Sequence, residues 1–204
     1  MRLAQTHPTW ALGFEDEVWW SRVAQPTLSA WTEGKGPLRL VEQTVAKDDP
    51  DPKALACYGL LVRWADARTG QQEEAWLRFV DGQPVSAITC DFLEWCCHKL
   101  AAVGMTALLL VWDNASWHTS HAVRRWIGEQ NRAVKGSGTG VRIVNCLLPV
   151  KSPWLNPIEP RWVHSKRRIV EPARLLSARE LEDRVCAAFG CTLEDHLAIP
   201  DKAS

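Results

Sequence analysis

The sequence predicts an α/β domain with a mixed, five-stranded central sheet and helices on both faces. Three apolar runs in the first half of the chain can pair as antiparallel strands, and the second half alternates strand and helix patterns. The run Thr106–Trp112 is almost entirely apolar, which is typical of a strand buried on both faces. A strand of that kind belongs in the middle of a sheet that is covered on both sides.

Local patterns justify the elements of the first half. Large apolar residues alternate with smaller or polar ones over Thr9–Asp16, which predicts the first strand. The apolar runs Ala54–Trp64 and Glu74–Val80 flank a turn that ends at Gly70, so we expect them to form a β-hairpin. These three strands supply the antiparallel part of the sheet.

The second half is dominated by helical spacing. Apolar residues recur at that spacing over residues 86–103, 119–134 and 178–189, and each segment is predicted to be a helix. A last strand is predicted over Val141–Leu148. A proline-rich loop then leads to another helix, which is predicted to begin at Pro157 because proline fits the first helical position.

The composition is that of an ordinary globular protein. The chain has 204 residues, of which 46% are apolar and 24% charged, so it can bury a substantial core. Its formal net charge of zero excludes a histone-like basic protein. The sequence has no secretory signal, no apolar run long enough to span a bilayer and no Cys-x-x-Cys pair among its seven cysteines. We therefore expect a cytoplasmic protein with reduced thiols and no membrane partner.

Two segments are nevertheless locally basic. Segment 161–174 contains five basic residues and one acid, and segment 122–135 contains four basic residues and one acid. A run of charges is most often a solvated helix face. Two such runs close to acidic residues favour an anionic substrate instead. The candidate phosphate contacts are Arg124, Arg125, Lys166, Arg167 and Arg168.

Three carboxylates fall where strands end or a helix begins. Asp16 ends the first strand, Asp113 follows the buried strand, and Glu159 lies at the start of the helix after the last strand. The polar residues of α/β sites collect beyond the carboxyl ends of strands. The three side chains therefore meet at one edge if the first and fourth strands are neighbours. Glu15 points to the other face of its strand and is predicted to be solvated.

Three converging carboxylates repel one another unless a cation lies between them. Oxygen ligands without Cys or His at ligand spacing select Mg²⁺ or Mn²⁺ over Zn²⁺. Two such ions about 3.5–4 Å apart can support an in-line phosphoryl transfer. A simpler alternative applies to Glu159, which also fits a capping box that has Asn156 as its N-cap.

Two motifs resemble a known protein family. Residues 112–118 read Trp-Asp-Asn-Ala-Ser-Trp-His, and residues 148–162 read Leu-Pro-x-x-Ser-Pro-x-Leu-Asn-Pro-Ile-Glu-x-x-Trp. A weaker motif, Phe-Glu-Asp-Glu, occupies residues 14–17 of the first strand. Together they resemble the catalytic domain of mariner-like bacterial insertion-sequence transposases, in the DDE superfamily, over roughly residues 9–172.

The resemblance implies a ribonuclease H-like fold and a catalytic, metal-binding triad of Asp16, Asp113 and Glu159. The implied cofactor is a pair of Mg²⁺ ions, which Mn²⁺ can replace. The implied activity is DNA cleavage and strand transfer, with TA dinucleotides as the usual targets. The implied partner is double-stranded DNA, held by a homodimer in a synaptic complex. Three further residues are expected to position the site: Asn114, His118 and Asn156.

The resemblance also suggests a domain organisation. We expect a catalytic domain at residues 1–172, with a C-terminal helix and tail at residues 173–204 packed on the same domain. Family members generally carry helix-turn-helix modules ahead of the catalytic domain. No such module is expected here, so a separately encoded DNA-binding polypeptide is a candidate partner. The alternative function is a catalytically silent fragment that binds DNA or dimerises as a regulator.

The chain contains twelve tryptophans, and most of them are predicted to fill the core. Trp117 and Trp154 lie within the two specific motifs. An aromatic ring beside a nucleic-acid site can stack on an unpaired base. These two residues are therefore candidates for such stacking.

Overall fold

A six-stranded mixed sheet forms the centre of the molecule. The structure is a computed structural model that describes residues 7–23, 30–31, 37–38, 44–66, 70–169 and 174–198. The strands are β1 (Trp10–Ser21), β2 (Ala30–Trp31), β3 (Pro37–Leu38), β4 (Ala54–Asp66), β5 (Gly70–Asp81), β6 (Ala107–Trp112), β7 (Arg142–Leu147) and β8 (Leu197–Ala198). The helices are α1 (Ser86–Ala102), α2 (His121–Ser137), α3 (Glu159–Ile169) and α4 (Ala178–Phe189).

The strand order confirms the predicted mixed sheet but corrects the number of strands. The order is β7-β6-β1-β4-β5-β8, and β2 pairs with β3 in a separate two-stranded sheet. β1 runs antiparallel to β4 and parallel to β6, so the first and fourth predicted strands are neighbours. The prediction of five strands was wrong because β8 is the sixth. β8 has only two residues, which is too short for an alternating pattern to appear in the sequence.

Each face of the sheet is covered by two helices. On one face, α1 and α2 bury Ile88, Phe92 and Val123 against alternate residues of the central strands. On the other face, α3 and α4 contribute Trp162 and Val185 to a second core cluster. Helices on both faces were predicted, and the two clusters confirm them. None of the helices in the described part of the chain is long and apolar enough to cross a membrane.

The pairing of β1 with β6 determines where the first two predicted acids lie. Phe14 is the register partner of Val111. Asp16 lies two residues further along β1, and Asp113 is the first residue after β6. Both side chains therefore emerge at the same edge of the sheet.

Helix α3 lies directly on the backbone of β4. Asp16 is opposite Gly59, and a Cβ atom on Gly59 would lie only 2.4 Å from the Trp162 ring and 3.0 Å from Ile158. Glycine is required here because any side chain would displace the ring. The contact fixes the start of α3, which carries Glu159, above the first strand.

We expect Gly59→Ala to lower the free energy of unfolding by about 1–3 kcal/mol, because overpacking forces the Trp162 ring to move. Urea denaturation followed by circular dichroism measures this change. Gly128→Ala is the control, because nothing lies within 4 Å of its added Cβ and alanine favours the interior of α2. A Gly59→Ala protein as stable as the wild type would contradict the close contact.

Candidate active site

A pocket of about 310 Å³ lies beyond the end of β6, beside the middle of β1, and all three predicted acids line it. The prediction that Asp16 ends the first strand was wrong, because β1 continues to Ser21 along its antiparallel partner β4. Asp16 comes from β1, Asp113 follows β6, and Glu159 is the first residue of α3. The rest of the lining comes from two loops: Asn114, Ala115, Leu148, Pro149, Val150, Lys151, Ser152, Pro153 and Asn156. The structure thus brings together three residues that lie far apart in the sequence.

Asp16 is half-buried, and its carboxylate is held by a ring. The Trp162 Nε1–H donates to Asp16 Oδ2 at 2.9 Å. Burial raises the pKa of Asp16 to about 7, with further contributions from the negative charges of Glu159 and Glu17, and the Trp162 hydrogen bond opposes this rise only in part. A cation beside Asp16 would favour its ionised form.

Asp113 is more exposed, and its Oδ1 atom has two close partners. This atom lies 2.8 Å from His118 Nδ1 and accepts the backbone N–H of Ala115, also at 2.8 Å. The hydrogen bond from His118 holds the pKa of Asp113 below its usual value, against the effect of burial. Asp113 is therefore ionised at neutral pH, while its other oxygen makes neither of these contacts.

Glu159 is not a capping-box residue. The backbone N–H of Asn156, which a capping box would use, donates to the carbonyl of Pro153 at 2.8 Å. The helix also begins at Glu159 rather than at Pro157, because the two residues before it form a turn. Burial and the charge of Asp113 raise the pKa of Glu159, and Lys166 opposes them. The side chain thus belongs electrostatically to the pocket.

The sequence did not predict a second acidic group directly behind the pocket, which we call the His118 cluster (Glu15, Glu17 and His118). His118 Nε2 lies 2.9 Å from Glu17 Oε1 and 3.2 Å from Glu15 Oε2. Glu15 is only 1% exposed, so the prediction that it is solvated was wrong. β1 lies in the middle of the sheet, and helices cover both of its faces, so the side chains on either face of β1 are buried. The alternation of Glu15 and Glu17 with Asp16 was the available signal.

Burial and neighbouring charges shift the pKa values of the His118 cluster. Burial lowers the pKa of His118, but Glu15, Asp113 and Glu17 outweigh it and raise that pKa to about 11. Burial also raises the pKa of Glu15 well above its usual value. Neither Glu15 oxygen has a hydrogen-bond partner within the described residues, because the single Nε2–H of His118 is directed to Glu17.

The other two predicted positioning residues bind backbone groups. Asn114 donates to the carbonyl of Leu148 at 2.6 Å, and this bond connects the two loops that line the pocket. Asn156 is 2% exposed and donates to the carbonyl of Glu15 at 2.9 Å. Both asparagines therefore fix the shape of the loops around the acids.

The predicted cations lie on the surface of two helices. Arg124 and Arg125 are exposed on α2, which begins eight residues after Asp113. Lys166 and Arg168 are exposed on α3, whereas the side chain of Arg167 lies outside the described part of the chain. The two helices cover opposite faces of the sheet, and both begin at the edge that carries the pocket.

The two candidate stacking residues have different environments. Trp117 donates its Nε1–H to Glu17 at 2.7 Å, and its ring meets that of His118 edge to face, so it supports the His118 cluster. Trp154 is 73% exposed on a short 3₁₀ turn, Pro153–Leu155. Nearby, Lys151 has a left-handed backbone (φ 59°), a strained conformation that often accompanies a functional loop.

The pocket suits a hard divalent cation. Its donors are three carboxylates without a thiol, and the pKa values of Asp16 and Glu159 are raised in part by neighbouring negative charge. A bound cation would relieve that repulsion, and oxygen donors of this kind are typical ligands of Mg²⁺ and Mn²⁺. Within the described residues, the group whose ligand atoms lie within 4.8 Å of one another is the His118 cluster rather than the three acids of the pocket.

Comparisons with known proteins agree with this geometry. A family model described as DDE superfamily endonuclease matches residues 63–182, which is more than half of the chain. The matched range contains Asp113 and Glu159 but not Asp16. No curated protein has a matching sequence.

Several solved structures share the fold. The Mos1 transposase paired-end complex with left transposon end matches with a TM-score of 0.58 and 15% identity, over 93% of this chain and 50% of that chain. The Mos1 mariner paired end complex with Mn matches with a TM-score of 0.52 and 14% identity, over 93% and 50%. The complex with Mg gives a TM-score of 0.52 and 12% identity, over 89% and 48%. The chain spans about half the length of these proteins.

The structural likeness confirms the predicted ribonuclease H-like fold. The family match extends from β4 to α4 and includes both specific motifs, those around Asp113 and Glu159. The chain therefore belongs to the DDE superfamily of endonucleases.

Proposed function

We propose that this chain is the catalytic domain of a DNA transposase that cleaves DNA and transfers strands with the help of divalent cations. The observation that carries the proposal is the pocket that Asp16, Asp113 and Glu159 all line, just beyond the point where the parallel pairing of β1 and β6 ends. The structurally similar Mos1 complexes contain a transposon end in one case and Mn or Mg in others, which supports DNA as the substrate and a divalent metal as the cofactor.

In this proposal the three acids are the catalytic residues and hold two Mg²⁺ ions, which Mn²⁺ can replace. Asp16, Asp113 and Glu159 would supply the carboxylate ligands of these ions. Bound there, the ions would activate the attacking group and neutralise charge on the scissile phosphate. The protein contributes fixed carboxylate directions, since Trp162 and His118 each bind one of the aspartates.

The same site would join the cleaved end to target DNA, with TA dinucleotides as the proposed target. A homodimer would hold the two ends. Residues 1–172 would form the catalytic domain and residues 173–204 its C-terminal helix and tail, a division supported by the packing of α4 against the core beneath α3.

The cations on α2 and α3 are proposed to neutralise DNA phosphates, a role that does not depend on sequence. We expect the double change Arg124→Ala and Arg125→Ala to weaken DNA binding and to reduce the slope of log K against log salt by about 2. Fluorescence anisotropy with a labelled duplex at several salt concentrations measures the slope. Arg132→Ala is the control, because this exposed arginine lies further along α2, away from the pocket edge. An unchanged slope in the double variant would remove α2 from the proposed interface.

Trp154 is proposed to stack on an unpaired base at the DNA end, since its ring is exposed beside the pocket. We expect Trp154→Leu to weaken binding of a pre-cleaved end by about 1–3 kcal/mol and to abolish quenching of a 2-aminopurine placed at its terminal position. Trp154→Phe keeps an aromatic face and should keep most of the quenching. Equal quenching in the leucine variant would show that the ring does not contact the base.

The activity test uses pre-cleaved element ends, target DNA and Mn²⁺, with and without an added end-binding module. We expect strand-transfer products from the wild type and none from Asp113→Asn, which removes one of the proposed ligands. Folding of the variant is checked by circular dichroism. If no metal-dependent product forms under any of these conditions, the chain is better described as a silent fragment that binds DNA or dimerises.

A further inference from the structure

Two ring N–H groups connect the aspartates of the pocket to the rest of the site. Trp162 follows Glu159 by one helical turn on α3, and its Nε1–H donates to Asp16 at 2.9 Å. His118 contacts Asp113 at 2.8 Å through Nδ1 and Glu17 at 2.9 Å through Nε2. One ring therefore joins α3 to β1, and the other joins the loop after β6 to β1.

Neither ring has room to move. Trp162 is 2% exposed, its ring covers Gly59, and it packs against Phe189 at a centroid distance of 5.0 Å. His118 is 1% exposed and stacks on Trp112, with a centroid distance of 4.4 Å and an interplanar angle of 16°. The directions of the two N–H groups are therefore fixed by packing in the core.

We propose that Trp162 and His118 are positioning residues that set the direction and spacing of the Asp16 and Asp113 carboxylates toward the cations, with Glu17 as the anchor of His118. Each ring engages one carboxylate oxygen and so restricts rotation of the group. Hydrogen bonds that orient metal-ligating side chains typically contribute 10–100-fold to metal affinity or activity. The inference rests on the proposed function, because it assumes that these carboxylates bind cations.

Trp162 is tested with Trp162→Phe, which keeps an aromatic ring over Gly59 and removes the N–H. We expect the dissociation constant for Mn²⁺, measured by isothermal titration calorimetry on the full chain, to rise about 10-fold or more. The matched control is Trp76→Phe, because the Trp76 Nε1–H also donates to a carboxylate, that of Glu74 at 2.7 Å, on β5 and outside this pocket. The control should lose a similar hydrogen bond and keep its affinity for Mn²⁺.

His118 is tested with two amides that each replace one of its nitrogens. The side-chain nitrogen of asparagine reaches the position of Nδ1, and that of glutamine reaches the position of Nε2. We expect His118→Asn to keep the contact with Asp113 and to bind Mn²⁺ several-fold more tightly than His118→Gln. A purely structural role predicts that affinity follows the loss of thermal stability in both variants, so melting temperatures are measured on the same samples.

The outcomes separate this inference from the proposed function. If the wild type binds Mn²⁺ and both Trp162→Phe and His118→Gln bind it equally well, the positioning role is overturned while the proposed function stands. If the wild type binds no Mn²⁺, both are overturned. One stoichiometric metal ion in the purified protein that is lost in both His118 variants would also overturn the inference, because the His118 cluster would then be a metal site itself.

Discussion

Asp16→Asn is expected to make the metal-free protein more stable at pH 8 and to abolish its stabilisation by Mn²⁺. Burial and the charges of Glu159 and Glu17 raise the pKa of Asp16 from 3.8 to about 7. The folded state therefore holds this proton more tightly than the unfolded chain, and stability is lost as the pH rises from about 4 through 7. Asparagine removes the buried charge and should raise the free energy of unfolding by about 2–4 kcal/mol at pH 8.

The second part of this prediction concerns the stabilisation of the folded protein by Mn²⁺. A ligand that binds only the folded state at 100 times its dissociation constant stabilises by about 2.7 kcal/mol. The wild type should gain this stability from Mn²⁺ at pH 8, whereas Asp16→Asn should gain little because it has lost a proposed ligand. Urea denaturation at pH 5 and pH 8, with and without Mn²⁺, measures both effects, and the advantage of the variant should shrink at pH 5.

The exposed residue Asp48 provides the control for this experiment. Asp48→Asn makes the same chemical change away from the pocket, so it should alter neither the stability at pH 8 nor the response to Mn²⁺. Two results would contradict the role of Asp16: an Asp16→Asn protein no more stable than the wild type at pH 8, or equal stabilisation of both proteins by Mn²⁺.

Most of the fold and the three acids were predictable because their signals are local. The continuous apolar run at Ala107–Trp112 predicts a buried strand, and α4 was predicted with the bounds that the structure has. The convergence of Asp16 and Asp113 needed one further assumption, that two strands distant in sequence are neighbours. The pairing of β1 with β6 satisfies it.

The alternation of Glu15 and Glu17 with Asp16 places the two glutamates on one face of β1, but nothing local marks them as buried, so the His118 cluster was not predictable. The residue type of Glu15 predicts a solvated side chain. Its burial becomes evident only from the structure, in which β1 is paired along both edges and covered on both faces. Trp162 lies in the core on the α3 side of the sheet, but its bond to Asp16 depends on the absence of a side chain at Gly59. Contacts of this kind join residues more than 100 positions apart, which no periodic pattern encodes.

Arg22→Ala is expected to cause a large loss of stability, although this residue lies outside the pocket. Arg22 is 4% exposed, and its guanidinium forms a two-pronged pair with Asp49, each bond 3.0 Å long. Its Nε–H donates to the carbonyl of Leu176 at 2.7 Å, and it also donates to the carbonyl of Asp51 at 2.9 Å. One side chain thus joins the end of β1 to the segment before β4 and to the segment before α4.

Removal of this guanidinium leaves the buried carbonyl of Leu176 and the carboxylate of Asp49 without their partner. Loss of a charge-assisted hydrogen bond to a buried carbonyl typically costs about 1.5–3 kcal/mol, which corresponds to a fall of roughly 5–10 °C in melting temperature for a chain of this size. Differential scanning calorimetry measures the fall. Arg22→Lys should recover only part of it, because an ammonium group cannot reproduce the planar fork that reaches Asp49 and Leu176 together.

The matched comparison for Arg22 is Arg174→Ala. Arg174 forms the same two-pronged contact, with Glu180 at 2.9 and 2.6 Å, but both of its carboxylate contacts are exposed to solvent. Exposed pairs contribute little because water screens them, so the melting temperature should change by no more than about 2 °C. If the melting temperature fell by a similar amount in both variants, Arg22 would stabilise the fold through surface charge alone. The burial of its guanidinium would then not be the reason for its effect.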